Sequence, residues 1–450
     1  MRMPNPPEEL RELARRFESQ GHKAYLVGGA VRDAFMGRPA GDYDVATDAS
    51  PEEVLRIFPR VIPTGIKHGT VTVLLRHYKV EVTTFRIEHG YSDGRRPDSV
   101  EFAADIGADL SRRDFTINAM AWDILGRELV DPYGGQADLA AKIIRAVGNP
   151  EARFGEDGLR PLRALRFASQ LNFSLDPDTF AAIPKALDRY RSVSAERVRD
   201  EFSKILLSPL PSRGLRLMES TGILFESLPE FRVCRGAAQK GGHAFDVLDH
   251  LYASVDAAPP DLVLRLSALF HDVGKPASRK EGEDGVPTFH RHEEISAALA
   301  EAALKRLRFP NDVVGRTAHL VRMHMFNYED RWTDAAVRRF IAKAGAANID
   351  DLLALRLADS AGAAGVAPDP RVLAGFRARI DAVLAAGNAL SLRDLAIGGD
   401  DLAALGVSKG PAMGQILKEL LETVLDDPEQ NEKERLLTIA QGLNERRKPL

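Results

Sequence analysis

Apolar Leu10, Leu13, Ala14 and Phe17 recur at helical spacing and predict an amphipathic helix over residues 8–19. Tyr25 to Val27 is a short β-prone run that ends on Gly28-Gly29. One short helix follows, and then a second strand holding Asp42-Tyr43-Asp44-Val45-Ala46. Ser50-Pro51-Glu52-Glu53 supplies an N-cap, a proline at the first helical position and acidic first-turn residues, so a helix runs to about Phe58 and stops at Pro59. Val71–Leu75 and Val80–Phe85 read as a hairpin. Arg86 to Glu101 has no period and is rich in Gly, Asp, Arg and Pro, which predicts a mobile charged loop. Ser111 to Ala119 opens a helix running into a strand at Met120–Asp123, and Ile143–Val147 is the last strand of the first domain.

Beyond Gly148-Asn149-Pro150 helical spacing takes over. Leu162, Leu165 and Phe167 mark one helix, a second opens at Ser194, and a third ends at Gly222. The sequence after Ala361 is Ala-rich, with breaks at Pro368–Pro370 and Gly398-Gly399. The pattern predicts an α+β chain: a head with a small mixed, mainly antiparallel sheet over residues 1–147, then an all-α neck (148–235), body (236–365) and tail (366–450). At 450 residues the chain exceeds one core.

Composition narrows the class. Hydrophobic content of 44% and charged content of 28% describe a soluble globular protein, and no run approaches membrane-spanning length. The net charge of -4 does not advertise a nucleic-acid binder, so any phosphate binding must come from local patches of the 61 Lys and Arg residues. Cys234 is the sole cysteine and the first residues lack a signal peptide's apolar core, so the expected compartment is the cytoplasm.

The chemistry concentrates first between Tyr25 and Asp48. Gly28 and Gly29 let backbone approach a ligand at a helix start, where N–H groups favour phosphate, and Arg32 adds a cation. Asp42 and Asp44 lie two apart, so on a strand they share one face, an arrangement that calls for a cation between them. Mg²⁺ suits a few carboxylates plus substrate phosphates, and it can activate a hydroxyl while neutralising a leaving pyrophosphate. Glu81, inside its strand, is either a third catalytic carboxylate or a solvent-facing residue. Further on, Asp157 and Arg160 offer an acceptor beside planar donors. Cytosine and adenine fit that pair, whereas guanine and uracil meet acceptor against acceptor and donor against donor.

GGAVRD followed by GDYDVAT, then HGTVTV, RRDFTIN and EDGLR, resembles the class II tRNA nucleotidyltransferases, relatives of bacterial poly(A) polymerases in the polymerase-beta-like superfamily. The resemblance implies a polymerase-beta-like head that adds or repairs a tRNA 3′-CCA from CTP and ATP, with Mg²⁺ on Asp42 and Asp44. It implies ribose and phosphate contacts from Arg113, Asp114 and Asn118, and further nucleotide-site arginines at Arg163 and Arg166. The expected partners are the tRNA 3′ end and acceptor stem. Rival readings are A-only or CC-only addition, poly(A) synthesis, and a phosphohydrolase with a nucleotide-binding head.

A second constellation begins at Gly241-Gly242-His243 and centres on His271-Asp272. Seven of the 11 histidines fall between His243 and His324, and imidazoles with carboxylates on helices can hold ions whose bound water attacks a phosphoester. The spacing resembles the HD metal-phosphohydrolases. That implies ligands at His250, His271, Asp272 and Asp359 for Mg²⁺, Mn²⁺, Ni²⁺ or a similar divalent ion, with His292 and His324 as second-metal or substrate candidates.

Overall fold

The computed structural model describes residues 5–39, 41–66, 69–90, 99–239, 245–282, 286–329, 331–367 and 369–447. His68 of the HGTVTV stretch and Lys67 before it, Gly241, Gly242, His243, Pro368 and Lys448 lie outside the described residues. The chain divides into two compact units, Met1–Arg232 with Ala303–Pro310, and Val233–Ala302 with Asn311–Leu450.

The first unit is built on a seven-stranded sheet. In chain order its head strands are β1 (Ala24–Val27), β2 (Tyr43–Thr47), β3 (Val61–Gly65), β4 (Thr70–Leu74), β5 (Lys79–Thr84), β6 (Arg86–His89), β7 (Ser99–Phe102), β8 (Ala121–Asp123) and β9 (Leu129–Val130). The sheet order is β3-β4-β5-β2-β1-β8-β9, and every pairing is antiparallel except β2 with β5. Alternation along β5 buries Val80 and Val82 and leaves Glu81 exposed. Tyr25, Val27, Ala46, Phe85, Ile106, Leu110 and Ala121 form a core against this sheet. The helix Glu8–Ser19 buries the expected Leu10, Leu13, Ala14 and Phe17. Ser50 and Glu53 close a reciprocal capping box on the helix Pro51–Ile57.

Three expectations need correction. The ends of the stretch taken as an aperiodic loop, Arg86–His89 and Ser99–Phe102, pair as the antiparallel β6 and β7, a backbone ladder that composition disguised. The segment after Ser111 is a turn and a three-residue 3₁₀ helix, Thr116–Asn118, since Asp114 and Asn118 spend their side chains on local bonds. Ile143–Val147 supplies only a two-residue strand, Ile143–Ile144. It pairs in parallel with Ser174–Leu175 outside the seven-stranded sheet.

Helices complete the first unit. Asn149 caps Pro150–Glu156, and Asp157 sits extended between it and the template helix, Arg160–Leu171. The brace helix, Ala195–Leu206, buries Val198, Glu201, Phe202, Ile205 and Leu206. Among its described residues the second unit is helical apart from one small hairpin, Lys280–Glu281 with Pro287–Thr288. Its tail has a core of its own, including Leu395, Ile397, Leu402, Ile416, Leu420, Val424 and Leu436. No helix among the described residues is long and apolar enough to cross a membrane.

Candidate active site and metal centre

Gly28 ends β1 and precedes the short helix Gly29–Phe35 at φ +68°, a conformation that favours glycine. A Cβ placed on it would stand 2.9 Å from Arg113 Nη1 and 3.8 Å from Asp44 Oδ2, so this backbone borders a carboxylate and a guanidinium at once. Asp44 is half-buried on β2, opposite Val27 on one side and Glu81 on the other. Burial raises its pKa, the charges of Glu81 and Asp42 raise it further, and Arg113 opposes them. Three carboxylates therefore load one place with negative charge, and their all-oxygen donor set suits a hard divalent cation. Among the described residues, groups of three or more ligating atoms within 4.8 Å of one another occur only in the second unit. An ion at Asp42, Asp44 and Glu81 would thus leave much of its shell to water and substrate oxygens.

A continuous network leads from this turn to the template helix. Arg32 is not a free cation: it donates to both oxygens of Asp33 at 2.9 and 3.0 Å and to Asn118 Oδ1 at 2.8 Å. Asn118 donates to Asp114 Oδ1 at 3.1 Å, and Arg163 donates to Asp114 Oδ2 at 2.8 Å. Burial works against an ionised Asp114, but Arg163 and the Asn118 hydrogen bond hold its carboxyl down at about 2. Arg112 and Arg113 both pair with buried Asp109, whose pKa they lower despite its burial. Phe167 lies beneath three guanidinium groups, 3.8 Å from Arg166, 5.2 Å from Arg32 and 5.6 Å from Arg163.

Asp157 and Arg160, expected together to select the base, have separate protein partners. Arg197 of the brace helix grips both oxygens of Asp157 at 3.1 and 2.7 Å, while Arg160 turns to Glu156 and to the carbonyls of Arg153 and Arg112. Arg160 directly follows the turn that frees Asp157, so the two side chains leave the backbone toward different neighbours. Gly158 between them is enforced by packing, because a Cβ there would meet the Arg189 carbonyl oxygen at 2.4 Å. Glu201, four residues after Arg197, is 3% exposed and binds Arg166 and, at 3.8 Å, Arg163.

In the second unit His250, His271, Asp272 and Asp359 converge. Nε2 of His250 lies 3.1 Å from Nε2 of His271, 3.3 Å from Asp272 and 3.2 Å from Asp359. Nε2 of His271 lies 3.3 and 3.4 Å from the same carboxylates. Asp272 turns its other oxygen to His292 at 3.0 Å and His324 at 3.7 Å. The Nδ1 atoms of His271, His292 and His324 face the carbonyls of Ala268, Phe289 and Val321 at 2.7–2.8 Å, which leaves each Nε2 as the ligating atom. Burial would lower the His271 pKa, but Asp272 and Asp359 push it up to about 10, and both carboxyls are held well below their ordinary range. Buried imidazoles and carboxylates packed this closely have the donor chemistry of a transition-metal site.

Residues 24–145 match the family model "Poly A polymerase head domain", residues 172–234 match "Probable RNA and SrmB- binding site of polymerase A", and residues 288–440 match tRNA nucleotidyltransferase domain 2. A CCA-adding enzyme of Enterococcus faecalis is 33% identical over 445 residues, 98% of each chain. The chain belongs to the CCA-adding enzyme family. Another member, from Anoxybacillus flavithermus, is 51% identical over 210 residues, 47% of this chain and about half (52%) of that protein. The crystal structure of the Bacillus stearothermophilus CCA-adding enzyme in complex with CTP superposes with a TM-score of 0.73 at 30% identity, covering 98% of both chains. CCA-adding enzymes depend on a divalent metal, and the acidic and histidine clusters of this chain have the donors for one.

Arg197 and Glu201 are not among the site residues expected from the sequence, where Ser194 marks only the start of a helix. A signal was present. Val198, Phe202 and Ile205 mark the buried stripe, and Glu201 falls beside it, where a carboxylate must find cations.

Proposed function

We propose that this chain extends or repairs the 3′ end of tRNA with CCA, drawing on CTP and ATP and releasing pyrophosphate. The observation that carries the reading is the network from Asp44 and the Gly28 turn through Arg32, Asn118 and Asp114 to Arg163 of the template helix, with Asp157, held by Arg197, near enough for its charge to act on Arg163. The tRNA 3′-hydroxyl attacks the α-phosphorus, a new P–O bond forms, and the bond to the β-phosphate bridge breaks. A divalent ion held by Asp42 and Asp44, with Glu81, supplies hydroxyl activation and charge neutralisation. Arg113, beside Gly28, and the Arg32–Asn118 pair place the triphosphate and ribose. Asp157 and Arg160 choose the base from separate anchors, Arg197 fixing the plane of the Asp157 carboxylate and Glu156 holding Arg160, and Arg163 and Arg166 line the nucleotide site. In this reading the head is 1–147, the neck 148–235, the body 236–365 and the tail 366–450. The single, buried Cys234 fits a reducing cytoplasm.

Single-nucleotide incorporation on tRNAs ending before, within and after CCA tests it. The expected products are C, C and A in turn, with no addition to a finished end. Addition of A alone or C alone would establish a partial enzyme, and runs of A on any RNA a poly(A) polymerase.

A second activity is favoured by the cluster in the other unit. His250, His271, Asp272 and Asp359 form a centre for Mg²⁺, Mn²⁺, Ni²⁺ or a related ion, as in an HD phosphohydrolase, with His292 and His324 beside the second oxygen of Asp272. Hydrolysis of p-nitrophenyl phosphate that needs both added metal and His271 is the expected result.

A further inference from the structure

Two cations touch the carboxylates of the second unit's cluster, and the role assigned to them rests on that cluster being a divalent-metal centre. Lys275 Nζ lies 2.5 Å from Asp272 Oδ2, the same oxygen that faces His250 and His271. Arg356 Nη1 donates to Asp359 Oδ2 at 3.1 Å, while Oδ1 of Asp359 faces the two imidazoles. Lys275 also donates to Gln239 Oε1 at 2.7 Å and stands 5.8 Å from the Phe289 ring. Both cations line one cavity of about 480 Å³, with His290, Phe289 and the 57%-exposed Met325 on its walls.

The chemistry of these contacts is competitive. An ion seated on His250, His271, Asp272 and Asp359 needs the Asp272 oxygen that Lys275 now holds and the negative charge of Asp359 that Arg356 now balances from its other oxygen, and its own charge repels both cations. Released from those carboxylates, a lysine and an arginine at a cavity wall are the usual means of holding phosphate oxygens.

We propose that Lys275 and Arg356 are exchangeable counter-ions: they neutralise Asp272 and Asp359 until a divalent ion binds, and then turn to the adjoining cavity to hold the anionic oxygens of a phosphoester. Metal therefore binds first and creates the anion site. By linkage, each ligand tightens the binding of the other.

Isothermal titration of the full chain tests this with Mn²⁺ alone, with phenylphosphonate, a phosphoester mimic that cannot be hydrolysed, and with both. Saturating Mn²⁺ is expected to raise phenylphosphonate affinity about tenfold or more, within the usual range of such couplings. Lys275→Met and Arg356→Met are each expected to bind Mn²⁺ more tightly than the wild type and to lose that gain in phenylphosphonate affinity. A residue that only supports the fold would instead weaken metal binding when removed. Unchanged or weaker Mn²⁺ binding by both variants, or a phenylphosphonate affinity indifferent to Mn²⁺, overturns the exchange. His271→Ala identifies which Mn²⁺ heat belongs to this centre. If wild type and His271→Ala titrate alike, the metal-centre reading itself fails, which is a different result. Lys275→Gln and Arg356→Gln, checked by thermal melting, serve where a methionine variant does not fold.

Discussion

Asp114 accepts from Arg163 through one carboxylate oxygen, and from Asn118 and the Phe115 backbone through the other. Its side chain is 11% exposed and its carboxyl is held at about 2. The folded-state pKa is below the unfolded value near 4, so the stabilisation is complete above pH 4 and is lost as the pH falls from there through about 2. Replacing Asp114 by Asn is expected to cost about 2 kcal/mol at pH 7, the worth of that shift. Urea unfolding of both proteins measures it, and the gap is expected to narrow between pH 4 and pH 2. A gap that stays constant with pH would mean that the loss comes from shape rather than charge. The sequence marked Asp114 through its motif, but it held no sign that Arg163, 49 residues later, would be the partner, because ion pairs across a fold leave no local pattern.

The turn between Pro150–Glu156 and the template helix shows what is gained and lost at the scale of elements. Asn149, Pro150 and the later apolar spacing located both helices, since caps and periodicity are local signals. Partner choice within the turn depends on the brace helix, which reaches Asp157 from 40 residues away. For the same reason the β6–β7 ladder was hidden: its bonds join residues separated by a charged, aperiodic stretch. Gly158 is the hinge point of this arrangement. Changing Gly158 to Ala puts a methyl against the Arg189 backbone, which cannot rotate away as a side chain can, and overpacking of this kind costs about 1–3 kcal/mol. We expect a lower melting temperature and weaker binding of CTP and ATP, with Asp157 moved off its grip on Arg197. A variant that melts early yet binds both nucleotides normally would show that the turn does not set the base site.

At the scale of the whole molecule, the two proposed chemistries have separate supports. The residues assigned to nucleotide addition, from Gly28 to Arg197, belong to one compact unit, and every member of the histidine cluster belongs to the other. The split was visible in the sequence because histidines are scarce before residue 243 and the Gly-Gly and Asp-x-Asp motifs occur near the start. Exchange of one metal ligand in either unit is therefore expected to silence one reaction and spare the other. Asp44→Asn removes an oxygen from the carboxylate set, and losing several kcal/mol of charge stabilisation corresponds to about a thousandfold slower CTP and ATP addition. That variant is expected to retain metal-dependent hydrolysis of p-nitrophenyl phosphate. His271→Ala removes an imidazole that lies within 3.4 Å of both carboxylates of its cluster, and it is expected to abolish hydrolysis while leaving addition of C, C and A within a few-fold of wild type. Measuring both reactions on both variants gives four rates. Should either substitution extinguish both activities in a protein that still melts cooperatively, the two sites are one system and their separate assignment is wrong.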